Sequence, residues 1–178
     1  LIKKNPKDLR ALFHMALWHQ TQGNYRKALK YQNKYLKYSQ AHSDRYYVLY
    51  NRSLLFFQRG KLFRALWAIS RAECDEPGRW ETEKMKGLIY FTARKYEKAL
   101  TYLVDSFKQN TQDYAYKPQK RDDAGTWNLI EECFYQRGIF DKASLAFEQA
   151  SERIEGKQKY FLKQRAKLMS KMASSGRN

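Results

Sequence analysis

The side chains best suited to metal binding, nucleophilic attack or acid–base work in this 178-residue sequence are three histidines, two cysteines and 18 acidic residues. A catalytic or metal site needs several such groups brought together. His14 and His19 are five residues apart, so one helix would point them to different faces, and His42 stands away from both. Glu131 and Glu132 precede Cys133, but neighbouring residues of a helix project in different directions, which makes them packing and salt-bridge residues. Cys74 and Cys133 lack the close pairs of a zinc site and the density of a disulfide framework, and both read as structural. There is no glycine-rich phosphate loop and no Cys- or His-rich motif. The sequence predicts no enzyme, no metal and no cofactor. Trp18, Trp67, Trp80 and Trp127 each fall in an expected helix, where burial in a core outweighs stacking on a ligand.

Charge is the next signal. Lys and Arg total 35 against 18 acidic residues, a formal net charge of +17, which attracts nucleic acid, anionic lipid or an acidic protein surface. Hydrophobic residues at 43% and aromatics at 16% nevertheless place the chain among globular proteins. Three prolines and eight glycines leave few breaks and favour long helices joined by short turns. No apolar run approaches the roughly 20 residues that span a bilayer, and no secretory signal is visible. The expected compartment is cytoplasmic, or periplasmic if an upstream signal or anchor has been removed.

The helices that would position these residues are announced by a repeat. Its anchors are Ala28, Ala65, Ala99 and Ala143, spaced by 37, 34 and 44 residues. Five residues before them stand Gly23, Gly60, Arg94 and Gly138, where a sharp turn between helices suits glycine. Three before are Tyr25, Leu62, Tyr96 and Phe140, and nine before are His19, Phe56, Tyr90 and Phe134. Twelve before come Ala16, Ser53, Gly87 and Glu131, small in three copies as close helix contact demands. Leu12, Leu49, Glu83 and Trp127 stand sixteen before, and Tyr35, Ala72, Ser106 and Ala150 seven after.

A helix, a tight turn and a second helix, repeated with these small, aromatic and glycine positions, resemble the tetratricopeptide repeat (TPR). The best copies are ALFHMALWHQTQGNYRKAL and TWNLIEECFYQRGIFDKASLAFEQA, and the likeness covers roughly residues 7 to 155. It implies an all-α, right-handed α-solenoid of about four helix-turn-helix hairpins. The hairpins fall at about 8–38, 43–75, 78–110 and 119–154, with a C-terminal capping helix at about 157–173, in one domain over residues 1–178. Asn5-Pro6 resembles the end of a preceding repeat, which suggests the C-terminal part of a longer protein. Expected helices run 8–22, 25–38, 43–59, 61–75, 78–93, 95–110, 119–137, 139–154 and 157–173. The polar stretch with Pro118 is expected to lengthen the helix on one side of it, a polar loop being the alternative. The last helix caps the array with Phe161, Leu162, Leu168, Met169 and Met172.

In the family that the sequence resembles, first helices line a concave groove. By register the groove residues are Arg10, Phe13, His14, Leu17 and Gln20, then Tyr47, Tyr50, Asn51, Leu54 and Phe57. They continue with Glu81, Lys84, Leu88 and Phe91, and with Asn128, Glu132 and Tyr135; Phe57, Phe91 and Tyr135 occupy equivalent places. The clamp of Lys, Arg and Asn by which one subfamily grips a C-terminal carboxylate is not reproduced: Asn51 matches, but Phe13 and Leu17 replace the Lys and Asn of the first hairpin and Met85 replaces an Arg. Lys27, Lys30, Lys34 and Lys37 form one basic stripe and Lys159, Lys163, Lys167 and Lys171 another. The resemblance implies a protein-binding scaffold or adaptor that holds an acidic or amphipathic peptide or helix in the groove. The alternative is nucleic-acid binding, RNA above all, through the basic face and last helix.

Overall fold

The computed structural model describes residues 7–112, 120–152 and 157–175. Among them it contains no strand and nine helices: α1 (Leu9–Thr21), α2 (Tyr25–Tyr38), α3 (His42–Gln58), α4 (Leu62–Asp75), α5 (Trp80–Thr92), α6 (Tyr96–Gln112), α7 (Lys120–Gln136), α8 (Phe140–Glu152) and α9 (Lys157–Ser175). Every expected helix is present, with ends displaced by no more than two residues. Helix α6, just before the polar insertion, has 17 residues against 14 in the second helices α2 and α4, while α7, just after it, has 17, the same as α3. Asn5, Pro6 and Pro118 lie outside the described residues, as do the side chains of His42, Ala150, Phe161 and Leu162.

The turns inside the hairpins share one construction. Gly23, Gly60, Arg94 and Gly138 all have positive φ, at 70°, 67°, 57° and 69°. At each, the amide one residue further on donates to the carbonyl of the repeat aromatic: Asn24 to His19 (2.8 Å), and Lys61 to Phe56, Lys95 to Tyr90 and Ile139 to Phe134 (2.9 Å each). This is a Schellman closure, which satisfies carbonyls that a helix end leaves open. Only Arg94 makes it with a Cβ present, in a backbone region that ordinary residues avoid. Asp8 starts α1 by accepting the Ala11 amide at 3.0 Å, as an N-cap should.

The chain forms two compact units, Leu1–Thr82 and Glu83–Asn178. In the first, α1 packs on α2, α2 on α3 and α3 on α4. Helix α4 buries Ala65, Ala68, Ile69 and Ala72, a 3-1-3 spacing that draws one stripe down the helix. Small side chains let α3 approach closely, and the Ser53 hydroxyl donates to the Ala65 carbonyl at 2.8 Å. Leu12, Tyr35 and Val48 form a core cluster with Phe13 against it, so Tyr35 fills the place of a small residue by inserting its ring. Each fully buried aliphatic side chain here is worth about 1.5–3 kcal/mol of transfer energy.

In the second unit α6 packs on α7, α7 on α8 and α8 on α9. Ala99, Leu100, Leu103, Ile130 and Cys133 make one cluster, and Ala143, Ala166 and Met169 another. Gly87 in α5 sits so near α6 that a Cβ would come within 2.7 Å of Leu103 Cγ. Helix α9 covers α8 with Ala166 and Met169, and Met172 packs beside them.

Three expectations are corrected. Trp18 and Trp67 are 53% and 50% exposed rather than buried, because each lies well away around its helix from the buried stripe, Leu12, Ala16 and His19 in α1 and the alanine stripe in α4. Leu168 is 54% exposed; one residue from Met169 turns it about 100° off the contact line, and Ala166 takes its place. Cys74 is exposed on α4, whereas Cys133 is buried.

Candidate interaction surfaces

Along α3 the buried positions Tyr46, Val48, Leu49, Arg52, Ser53, Leu55 and Phe56 leave a second stripe open. Tyr47, Tyr50, Leu54 and Phe57 recur on it at steps of three, four and three residues. Tyr47 is half-exposed, Tyr50, Asn51, Leu54 and Phe57 are half-buried, and Tyr50 stacks on Tyr46 at 6.1 Å. The Arg79 guanidinium lies 4.7 Å from the Tyr46 ring and 5.4 Å from the Tyr47 ring. Tyr46 is fixed from the other end by a 3.2 Å hydrogen bond with the Thr82 hydroxyl, and burial pushes its phenol up to about 12. On α1, Arg10 and His14 are exposed while Phe13, Leu17 and Gln20 are half-buried; Phe13 packs at 6.1 Å on Tyr35 and so serves the core as well.

In the second unit Lys84, Leu88, Phe91 and Glu132 are half-buried, and Asn128 and Tyr135 are exposed; Glu81, just before this unit, is half-buried. Phe91 meets Tyr96 edge-on at 5.8 Å, and Tyr135 meets Phe140 in the same way at 6.0 Å. The recurrence of an aromatic at this register therefore has a local packing reason: the ring closes the base of its own hairpin.

Of the basic stripes, Lys27, Lys30 and Lys37 are exposed and Lys34 is half-buried. Lys159, Lys163, Lys167 and Lys171 line an open cavity of about 570 Å³ beside Ala166 and Glu148. The sequence reading missed a more regular use of cations. The residue before each anchor alanine is Lys27, Arg64, Lys98 or Lys142, and the last three lie over the repeat aromatic: Arg64 on Phe56 (6.0 Å), Lys98 on Tyr90 (5.7 Å) and Lys142 on Phe134 (5.9 Å). In the first hairpin His19 instead stacks flat on Tyr31 at 5.3 Å. The signal was in the sequence, one position from the alanines that were aligned.

Titratable groups gather at the end of α7. Glu131 is buried, and its carboxyl is pushed up to about 7, chiefly by burial, against the pull of Arg165 on α9. Arg165 Nη2 is 3.8 Å from carboxylate oxygens of both Glu131 and Glu132, so two adjacent side chains expected to diverge converge on one guanidinium. Glu131 Oε1 has no hydrogen-bond partner among the described residues. Burial, with both carboxylates beside it, also pushes the Cys133 thiol up to about 12, which removes it as a nucleophile at neutral pH. Among the described residues no group of three His, Cys, Asp or Glu could hold a metal, and no helix is long and apolar enough to cross a membrane.

No family model and no curated protein matches the sequence. Solved structures do match. PilF of Pseudomonas aeruginosa superimposes with a TM-score of 0.73 at 17% identity, covering 98% of this chain and 75% of PilF. YrrB, described as a TPR protein with an unusual peptide-binding site, gives 0.67 at 16% identity over 97% of this chain and 88% of YrrB. A MamA structure gives 0.68 at 18% identity over 85% and 81%. The chain has the tetratricopeptide-repeat fold. At these identities the likeness is one of fold, an all-α helical-repeat solenoid class. Within that TPR register the carboxylate-clamp positions stay unfilled: Phe13 and Leu17 are half-buried, Met85 is buried, and the Asn51 amide donates to the Tyr47 carbonyl of its own helix at 2.8 Å.

Proposed function

We propose that the protein is a non-catalytic interaction module that binds an acidic or amphipathic segment of another protein along the first-helix face of the unit Leu1–Thr82. The observation that carries this reading is the α3 stripe of Tyr47, Tyr50, Leu54 and Phe57, half-exposed at Tyr47 and partly accessible at the other three, on a helix whose intervening positions other than Asn51 are buried. An aromatic and aliphatic line at helical spacing offers anchors for a partner's apolar side chains. Arg79, ion-paired with Glu76, lies over Tyr47, and the net charge of +17 favours an acidic partner. The peptide-binding site ascribed to YrrB lends the same TPR fold a precedent for this use.

The test is affinity capture from extracts of the source cell, with nuclease present, comparing the wild-type chain with a Tyr47→Ala, Phe57→Ala variant of unchanged helicity. The expected result is a defined protein partner that the variant loses. Retention of every protein partner by the variant, with salt-sensitive nucleic acid recovered by both forms when nuclease is omitted, would sink the reading and favour the lysines of α2 and α9.

A further inference from the structure

We propose that the unit Leu1–Thr82 carries a second binding site, between α3 and α4 and built round Arg52, that receives the carboxylate side chain of an acidic peptide together with an apolar neighbour. Arg52 is only 8% exposed. Its Nε donates to the Gln32 side-chain oxygen at 3.2 Å and its Nη2 to that of Asn33 at 2.7 Å. Those amides orient the guanidinium without neutralising it. A guanidinium stays charged in a protein, and a buried charge ordinarily sits against an opposite one. Among the described residues no carboxylate lies within 4.0 Å of Arg52, Arg64 or Arg71.

Arg52 lines a cavity of about 370 Å³ with Phe56, Phe63, Arg64 and Trp67. The rim is apolar and open: Phe63 is 83% exposed and Trp67 50%. Arg64 lies over Phe56 at 6.0 Å and Arg71 over Trp67 at 5.6 Å, so two more cations border the rings. A recessed planar cation held by two amides matches a carboxylate, which it can bind through two parallel hydrogen bonds. Exposed rings beside it match an aliphatic or aromatic side chain, and the volume suits a pair of side chains rather than a folded surface. Recession also argues for a peptide over a nucleic acid, whose phosphates are neutralised by cations standing free at the surface. Arg52 and Phe56 lie on the buried stripe of α3, separate from the Tyr47–Phe57 stripe of the proposed groove, so the two sites can fail independently.

Heteronuclear NMR of the full chain tests this, with Arg Nε–H and Trp indole resonances followed during titration with acetyl-Glu-Phe-Asp-Leu-Glu-amide and, separately, with its Gln/Asn counterpart. The Arg52 and Trp67 signals should move with the acidic peptide alone. Arg52→Gln, Arg64→Glu and Phe63→Ser should each weaken it by about tenfold or more, while Tyr47→Ala with Phe57→Ala should leave it unchanged. If Arg52→Gln lowers the melting temperature sharply, the two exposed positions decide the matter, since their side chains support no core. Equal binding of the neutral peptide, shifts confined to the Tyr47 and Phe57 neighbourhood, or tighter displacement of the same signals by oligouridylate would overturn the proposal.

Discussion

The hairpins α3–α4 and α7–α8 answer the same structural demand in different ways. At the position twelve residues before the anchor alanine, α3 has Ser53, whose hydroxyl is satisfied within the hairpin by the Ala65 carbonyl at 2.8 Å. The fourth hairpin has Glu131 there, equally buried, and among the described residues its carboxylate finds its counter-charge outside the hairpin, on Arg165 of α9. Packing space is met in both, but polarity is met locally in one and by the next helix in the other. A departure from the repeat pattern thus marks where a hairpin depends on its neighbour, and α9 contributes a charge as well as a cap.

The largest expected effect follows from that dependence. A carboxyl whose folded pKa of about 7 stands above its ordinary 4.5 binds its proton more tightly in the native state than in the unfolded one. Its contribution is therefore fully present below about pH 4.5 and is lost as pH rises through about 7, a change of about 3 kcal/mol at 1.36 kcal/mol per pH unit. Urea unfolding of Glu131→Gln should show that slope removed, with the variant the more stable form at pH 8 and nearly equal to wild type at pH 4.5. Arg165→Met should carry the wild-type slope on to higher pH, costing up to about 1.4 kcal/mol more at pH 8, because without its partner the carboxyl keeps its proton past pH 7. Parallel stability curves for all three proteins would show that Glu131 is not the buried titrating group.

The third hairpin sharpens the comparison from the side of space. Ser53 accommodates its Cβ against α4, whereas Gly87 has Leu103 Cγ where a Cβ would need to be, at 2.7 Å, and Leu103 is itself fully buried. Gly87→Ala gains about 1 kcal/mol of helix propensity but overpacks the contact by about 1–3 kcal/mol. A net loss of about 1 kcal/mol is expected, read as a lower urea midpoint with unchanged slope. Stabilisation instead would mean that α5 and α6 can move apart freely.

These contrasts show why some features were legible in the sequence and others were not. The helices and turns of the hairpins were readable because each rests on a local rule that recurs: an alanine to be covered and a ring to cover it in all four copies, and a glycine to reverse the chain in three. Tyr35 and Glu131 were recognisable as departures, but their solutions lie on α1 and α9, at no fixed spacing from them. The candidate surfaces were legible in part. Helical phase picks out the open α3 stripe, yet it does not separate rings that face solvent from rings such as Phe91 that close a hairpin against Tyr96. Trp67 and Phe63 were missed because an aromatic residue off the core phase looks the same as one on it unless the stripe is drawn first.

The smallest effect concerns the turns, where the second and fourth hairpins agree and the third stands apart. Gly60 and Gly138 take φ of 67° and 69° at no steric cost, whereas Arg94 is held at 57° with its Cβ against the following carbonyl. That conformation costs a residue with a side chain about 1–2 kcal/mol. Arg94 is exposed, so replacing it loses no buried contact. Against the relief, Arg94→Gly makes the unfolded chain freer by about 0.4–1 kcal/mol. The difference leaves a stabilisation of about 0.5–1 kcal/mol, a rise of a few degrees in melting temperature for a chain of this length. Gly60→Ala, the reverse change in the hairpin that keeps the pattern, should lower it by a similar amount. If both substitutions are neutral, the Schellman hydrogen bonds rather than the left-handed residue set the stability of these turns, and the contrast between Arg94 and its three glycine counterparts carries no energetic meaning.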